Sequence, residues 1–157
     1  MTTQWIGRWL AIFCIALLAG IYLGDVVGVR HARMNIDPAG FVEMQQAIHM
    51  RFVRLMPPLI LGALIGNLLW LWSLRGQAWS WPFWLVLASI AGIIAIALMT
   101  RVVSVPLNQQ LMGWSAVTPP ADIRQLWQPW ERVNQWRLGI ALALLGIELS
   151  LLVRKQV

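Results

Sequence analysis

Charge is scarce in this chain. Only 11% of its 157 residues are Asp, Glu, Lys or Arg, where a soluble domain carries about 25%. With 59% hydrophobic residues and a mean hydropathy of +0.68, the surplus apolar surface has to face lipid. Cysteine is almost absent. Cys14 stands alone, so one chain can build neither a disulfide framework nor a thiolate metal cluster, and Cys14 reads as a small packing residue. Lysine is reduced to Lys155, so eleven of the twelve basic residues are Arg and the formal charge is +6. In a soluble protein that balance would suggest nucleic acid. Here there is no long basic run, and the charges flank apolar stretches as membrane proteins place them. No nucleic-acid partner is expected; the expected surroundings are a lipid bilayer.

Four long apolar stretches are present, at roughly 9–28, 57–74, 82–103 and 138–153. Each is about long enough to cross a hydrocarbon core of ~30 Å as a helix. The fold class is therefore all-α: a single membrane domain over 1–157, built as a four-transmembrane-helix bundle. The first stretch lacks a small-x-small cleavage pattern and reads as a retained helix. The connections after the first and third spans are long and polar, and the one between the second and third is short. Both termini then share one side and both long loops the other. The loop side holds more arginines, but Arg8, Arg75, Arg154 and Lys155 are concentrated in very short segments on the terminal side. On that density both termini are expected in the cytoplasm, in a bacterial inner membrane. Trp5, Trp9, Trp70, Trp72, Trp79, Trp81 and Trp84 form an expected aromatic belt on the terminal side.

Small residues recur every fourth position in Ala16, Gly20, Gly24 and Gly28, a pattern that lets a second helix approach closely. Asp37-Pro38 is a helix start. From there to Met56 the pattern is that of an amphipathic helix in the first long loop, with Gln45 and His49 on its apolar face. Pro57-Pro58 predicts a bend or break before the second span. Arg101, Ser104, Asn108 and Leu111 share a face by spacing. The segment from Thr118 to Val153 reads as helical, interrupted near Pro129. Trp127, Trp130, Asn134, Arg137, Leu138, Ala141, Leu145 and Glu148 lie on one stripe of it. An intramembrane acid such as Glu148 needs a partner, for which Arg8 and Arg75 are candidates.

Three segments taken together carry a resemblance. They are Gln45-x-x-x-His49-x-x-Phe52-x-x-x-Met56-Pro57-Pro58, Val105-Pro106-Leu107-Asn108-x-x-Leu111-x-x-Trp114, and Trp130-x-x-x-Asn134-x-x-Arg137. In this order, on four spans, the chain resembles the anthrone-oxygenase-like family of small membrane proteins. The resemblance implies a cofactor-independent monooxygenase, with no metal, that oxidises a phenolic or polyketide-like aromatic substrate with O₂.

Such chemistry needs a base and donors aimed at a developing oxyanion. His49 is the candidate base, with Asn108, Asn134 and Arg137 holding the negative charge. Trp127 and Trp130 would stack on flat rings, and Gln45 would orient His49 or the substrate. Asp25 would fix the histidine tautomer or pair with Arg101 or Arg137, and Arg101 itself needs an acid or a cavity. A second reading is a non-catalytic pocket for a lipid, quinone or haem. A third is that these polar residues merely tie helix ends together. His31 and His49, eighteen residues apart, form no metal motif. Four spans without an internal repeat are few for a carrier unless copies associate; a homo-oligomer stays open.

Overall fold

A computed structural model describes residues 2–153, with side chains from residue 5 onward. The described residues form helices α1 (Thr2–Gly24), α2 (Arg30–Asn35), α3 (Pro38–Ser73), α4 (Trp81–Met99), α5 (Val105–Met112) and α6 (Ile123–Val153). Two π-helical turns, Asp25–Val29 and Thr100–Ser104, join α1 to α2 and α4 to α5. The result is four rods, Trp5–Asn35, Pro38–Ser73, Trp81–Met112 and Ile123–Val153, each long and apolar enough to cross a membrane. This is a multi-pass membrane protein, and no strand occurs among its described residues. A rise of about 1.5 Å per residue makes every rod longer than the ~30 Å hydrocarbon core. Arg154 and Lys155, counted above for orientation, lie outside the described residues.

The amphipathic segment is the first half of α3, not a separate helix. Asp37 caps it, its Oδ1 accepting from Gly40 N at 2.8 Å, and Pro38 takes the first helical position. The expected break at Pro57-Pro58 does not occur, and α3 runs through. A proline frees the carbonyl four residues earlier, here those of Val53 and Arg54. All four residues are exposed, so rings and freed carbonyls lie on the outside of the rod, where nothing has to be displaced. Pro129 likewise leaves α6 unbroken. That helix begins at Ile123, and residues 113–122 are turns.

Around the bundle α1 neighbours α3 and α6, and α4 neighbours the same two. The tightest seam is α1 against α3, made by Gly62 and Gly66, which recur at the same fourfold spacing in the second span, together with Gly7 of α1. A Cβ on Gly66 would meet Ala11 N at 2.5 Å, and one on Gly7 would meet Trp70 N at 2.9 Å. Gly62 faces Cys14, whose Sγ would lie 2.8 Å from an added Cβ. The expected ladder is not a packing seam: Ala16, Gly20, Gly24 and Gly28 are exposed, and nothing lies within 4 Å of a Cβ on the three glycines. The reason is rotational. Ala11, Leu18 and Tyr22 point inward and are buried, and the ladder occupies another side of the same helix.

In the terminal half, Glu148 is fully buried and its Oε1 accepts from Asn67 Nδ2 at 2.9 Å. Asn67, rather than the arginines considered from sequence, is its hydrogen-bond partner here. Arg75 is exposed and lies over Trp72. Six of the seven belt tryptophans are exposed; Trp70 is instead buried, with the Arg8 guanidinium 5.3 Å from its ring centre.

Replacing Gly66 by Ala should destabilise the bundle by about 1–3 kcal/mol, since backbone stands where the methyl would go. Gly28→Ala should be neutral or stabilising by up to ~1 kcal/mol. Unfolding midpoints in detergent micelles for the two variants check the contrast.

Candidate active site

On a straight α-helix, residues eight apart are turned about 80° from each other. The π-helical turn Asp25–Val29 winds more slowly and brings Asp25 and Arg33 to one side. There they make a two-pronged pair, Arg33 NH1 to Asp25 Oδ1 at 2.7 Å and NH2 to Oδ2 at 3.1 Å. Arg33 is only 1% exposed. It also donates to Gln45 Oε1 on α3 at 3.3 Å, and its Nε lies 3.6 Å from Glu131 Oε1 on α6. Glu131 Oε2 in turn accepts from Arg30 Nε at 3.1 Å.

The second carboxylate oxygen of Asp25 is shared. Asn134 Nδ2 donates to it at 2.7 Å, and Asn134 Oδ1 accepts from Arg137 NH2 at 3.0 Å. Arg137 NH1 donates to Thr100 Oγ1 at 3.2 Å, at the start of the second π-helical turn. One hydrogen-bonded chain thus runs Gln45, Arg33, Asp25, Asn134, Arg137, Thr100 and touches all four rods. The Trp130 ring is flanked by two guanidiniums, Arg33 at 5.3 Å and Arg137 at 5.5 Å from its centre. Arg137 also lies 5.1 Å from the centre of the Tyr22 ring.

Beside this chain is a cavity of about 640 Å³ walled by all four rods. Its lining is mainly apolar, with Ile21, Phe52 and Met56 among it. Four buried polar atoms of lining residues have no hydrogen-bond partner among the described residues: Tyr22 Oη, Ser104 Oγ, Trp130 Nε1 and Arg137 Nε. Two of them can only donate.

Seven of the nine residues singled out from sequence line this cavity: Asp25, Gln45, His49, Asn108, Trp130, Asn134 and Arg137. His49 is half-buried on α3, without a partner for its ring nitrogens among the described residues. Trp127 does not line it. It stacks on Trp130 at 5.1 Å between ring centres and is packed with Phe41 and Trp114 behind the wall. Arg101 is exposed and away from the cavity. The π-helical turn Thr100–Ser104 breaks the 3.6-residue period that had placed Arg101 on the face of Ser104 and Asn108. Asp25 pairs with neither histidine nor Arg101; its partners are Arg33 and Asn134. Gln45 meets Arg33 rather than His49.

Sequence reasoning missed Arg33, Tyr22, Thr100 and Ser104. Arg33 looked like one of many loop-side arginines, and only the widened turn reveals its pairing. Tyr22 carried a readable signal, one turn before Asp25 on the same helix. His31, the other histidine, is exposed and contacts Asn35. Among the described residues no group of three or more His, Cys, Asp or Glu gathers as a metal site.

Arg33→Gln should destabilise the protein by about 2–4 kcal/mol, because it leaves the part-buried Asp25 carboxylate without its cation and with only Asn134 as a partner. Adding Asp25→Asn should restore part of that loss. Denaturant titrations of the two single variants and the double variant in micelles check this; additive losses would refute the coupling.

Comparison with known proteins agrees with the geometry. The anthrone oxygenase family matches residues 44–147. No curated protein and no solved structure matches the chain. The matched region carries α3 from Met44 through most of α6, and with them His49, Asn108, Asn134 and Arg137. The chain belongs to the anthrone oxygenase family.

Proposed function

We propose that this protein is a membrane-embedded oxygenase that oxidises a flat phenolic or polyketide-like aromatic ketone with O₂ and without a cofactor. The observation that carries the reading is one largely apolar cavity whose lining brings His49, Asn108, Asn134 and Arg137 together. An apolar ring system bearing carbonyl or hydroxyl oxygens would fill such a cavity and meet those polar residues.

The chemistry follows from the substrate class. In an anthrone the CH₂ opposite the carbonyl is acidic, because the resulting anion is an aromatic enolate. His49 takes that proton. Arg137, with Asn134 behind it, and Tyr22 stabilise the enolate oxygen. The enolate reduces O₂, a carbon–oxygen bond forms, and the peroxide collapses as its O–O bond breaks. The carbon loses its second hydrogen, leaving a new carbonyl and one water for each O₂ consumed. Asn108 and Ser104 lie on the α5 side of the cavity, where they would hold the peroxide oxygens. Trp130 offers its indole N–H and a ring edge to the substrate, whereas Trp127 supports it from behind.

In the same reading both termini are cytoplasmic, in a bacterial inner membrane. The short, purely basic terminal-side segments support that orientation.

Oxygen uptake by purified, chelator-treated protein supplied with a simple anthrone tests the proposal. The parent should exceed the spontaneous rate, and His49→Ala should fall by about 10²–10⁴-fold with unchanged thermal stability. Uptake no faster than the spontaneous rate would overturn catalysis and leave a binding pocket for a lipid, quinone or haem.

A further inference from the structure

The α1–α3 seam is tight at one end and open at the other. In the terminal half Gly62 faces Cys14 and Gly66 faces Ala11, with close approaches of 2.8 and 2.5 Å for an added Cβ. The two helices run antiparallel, so each step back along α3 is matched by a step forward along α1. The same register puts Met56 level with Gly20 and Phe52 level with Gly24. All four of these residues line the cavity. Gly20 and Gly24 line the cavity and are also exposed, with nothing within 4 Å of a Cβ on either, so the cavity reaches the outward side of α1 beside α3. Gly20 is the middle residue of the span Trp5–Asn35 and Gly24 lies one turn further on, so a ~30 Å hydrocarbon core centred on this rod would contain both. In that placement the gap faces hydrocarbon rather than bulk water.

We propose that the cavity takes its ligand sideways out of the bilayer, through the gap between α1 and α3 beside Gly20 and Gly24. This rests on the reading of the cavity as a binding site for an apolar aromatic molecule, and it names the source of that molecule: the membrane itself. A flat, three-ring ketone partitions strongly into lipid, since each buried CH₂-sized group favours the apolar phase by about 0.8 kcal/mol. A lateral opening lets it reach the polar wall without crossing water. The glycines matter for what they omit. Any side chain at Gly20 or Gly24 would project into the gap, whereas Gly28, equally exposed, is off the cavity lining.

A test independent of catalysis uses a thiol inside the cavity. Ser104 is 2% exposed and lines the cavity, so Ser104→Cys in a Cys14→Ala background gives one reporter. In phosphatidylcholine vesicles the reporter is offered an apolar reagent, benzyl methanethiosulfonate, or a permanently charged one, the trimethylammonium-ethyl analogue. The apolar reagent should react about a hundredfold faster, given the cost of a charge at hydrocarbon depth. Adding Gly20→Leu and Gly24→Leu should slow the apolar reaction about tenfold. Gly28→Leu should leave it unchanged, which controls for helix perturbation. Gly20→Ala with Gly24→Ala is the milder pair and should give an intermediate rate. Equal or faster labelling by the charged reagent would mean a mouth open to water and overturn the proposal. So would an apolar rate indifferent to the leucines, or no labelling by either reagent. None of these results depends on anthrone turnover, so failure of the portal and failure of the oxygenase reading are told apart.

Discussion

The Asp25–Arg33 pair organises the loop-side half of this protein. Neither group is tolerable alone at its position: Arg33 is buried, and Asp25 sits where α1 leaves the apolar span. Their two-pronged contact satisfies both, but it is geometrically possible only because the chain between them makes a π-helical turn. From that pair the network spreads to α3 through Gln45, to α6 through Asn134 and Glu131, and onward through Arg137 to Thr100. Helices in lipid gain no hydrophobic drive toward one another, so polar contacts and close packing must hold them. Here the two means are divided by depth. Small residues close the terminal half, and the polar network joins the rods in the loop half. The cavity lies beside that network.

How much of this was legible beforehand depended on whether local helical period survived. Along α6 it did. The stripe residues from Trp127 to Glu148 do share one side, which faces inward, because α6 is one uninterrupted α-helix. Four spans and the gathering of His49, Asn134 and Arg137 on the loop side followed from apolar length and topology. The misses cluster at the two π-helical turns. Each shifts the downstream residues around the rod, so Arg33 was overlooked and Arg101 was assigned to a face it does not occupy. No spacing rule based on 3.6 residues per turn finds such a shift. The prolines misled for another reason. A proline removes one hydrogen bond and crowds the preceding turn, but it does not have to end a long helix, and α3 and α6 run on through theirs. The small-residue ladder of α1 failed likewise: spacing identifies a smooth face, but only the partner's position tells whether that face is packed or left open.

Trp127 and Trp130 show how one motif can serve two ends. Three residues apart, both rings lie on the same side of α6, and both were read as stacking surfaces for a ligand. The structure gives the cavity one ring, Trp130, and uses the other to hold it. The Trp127 ring is fixed by edge contacts with Phe41 and Trp114. Those bring the start of α3 and the segment after α5 against α6. The Trp130 plane is thus supported from α3, α6 and the segment after α5 rather than by its own rotamer preference alone. A rigid indole edge is worth more to a flat ligand than a mobile one, because less freedom is lost on binding.

Charge completes the argument for what the cavity favours. The network joins the buried guanidiniums of Arg33 and Arg137, and the exposed Arg30, to two carboxylates, Asp25 and Glu131. Of these guanidiniums only that of Arg137, which lines the cavity, has no carboxylate within ion-pair distance among the described residues. Trp130 and Tyr22 offer their ring faces to that cation, which a neutral apolar wall would not. A neutral aromatic ketone would enter such a site, but its enolate would be held more strongly, since a guanidinium with no carboxylate in ion-pair range acts on it at short distance. Interactions stronger in the anion than in the neutral substrate are those that lower the barrier to proton removal. That guanidinium would do nothing for a hydrocarbon or a neutral lipid tail. On the proposed function, the cavity suits a molecule that becomes an anion within it better than one that merely fills it.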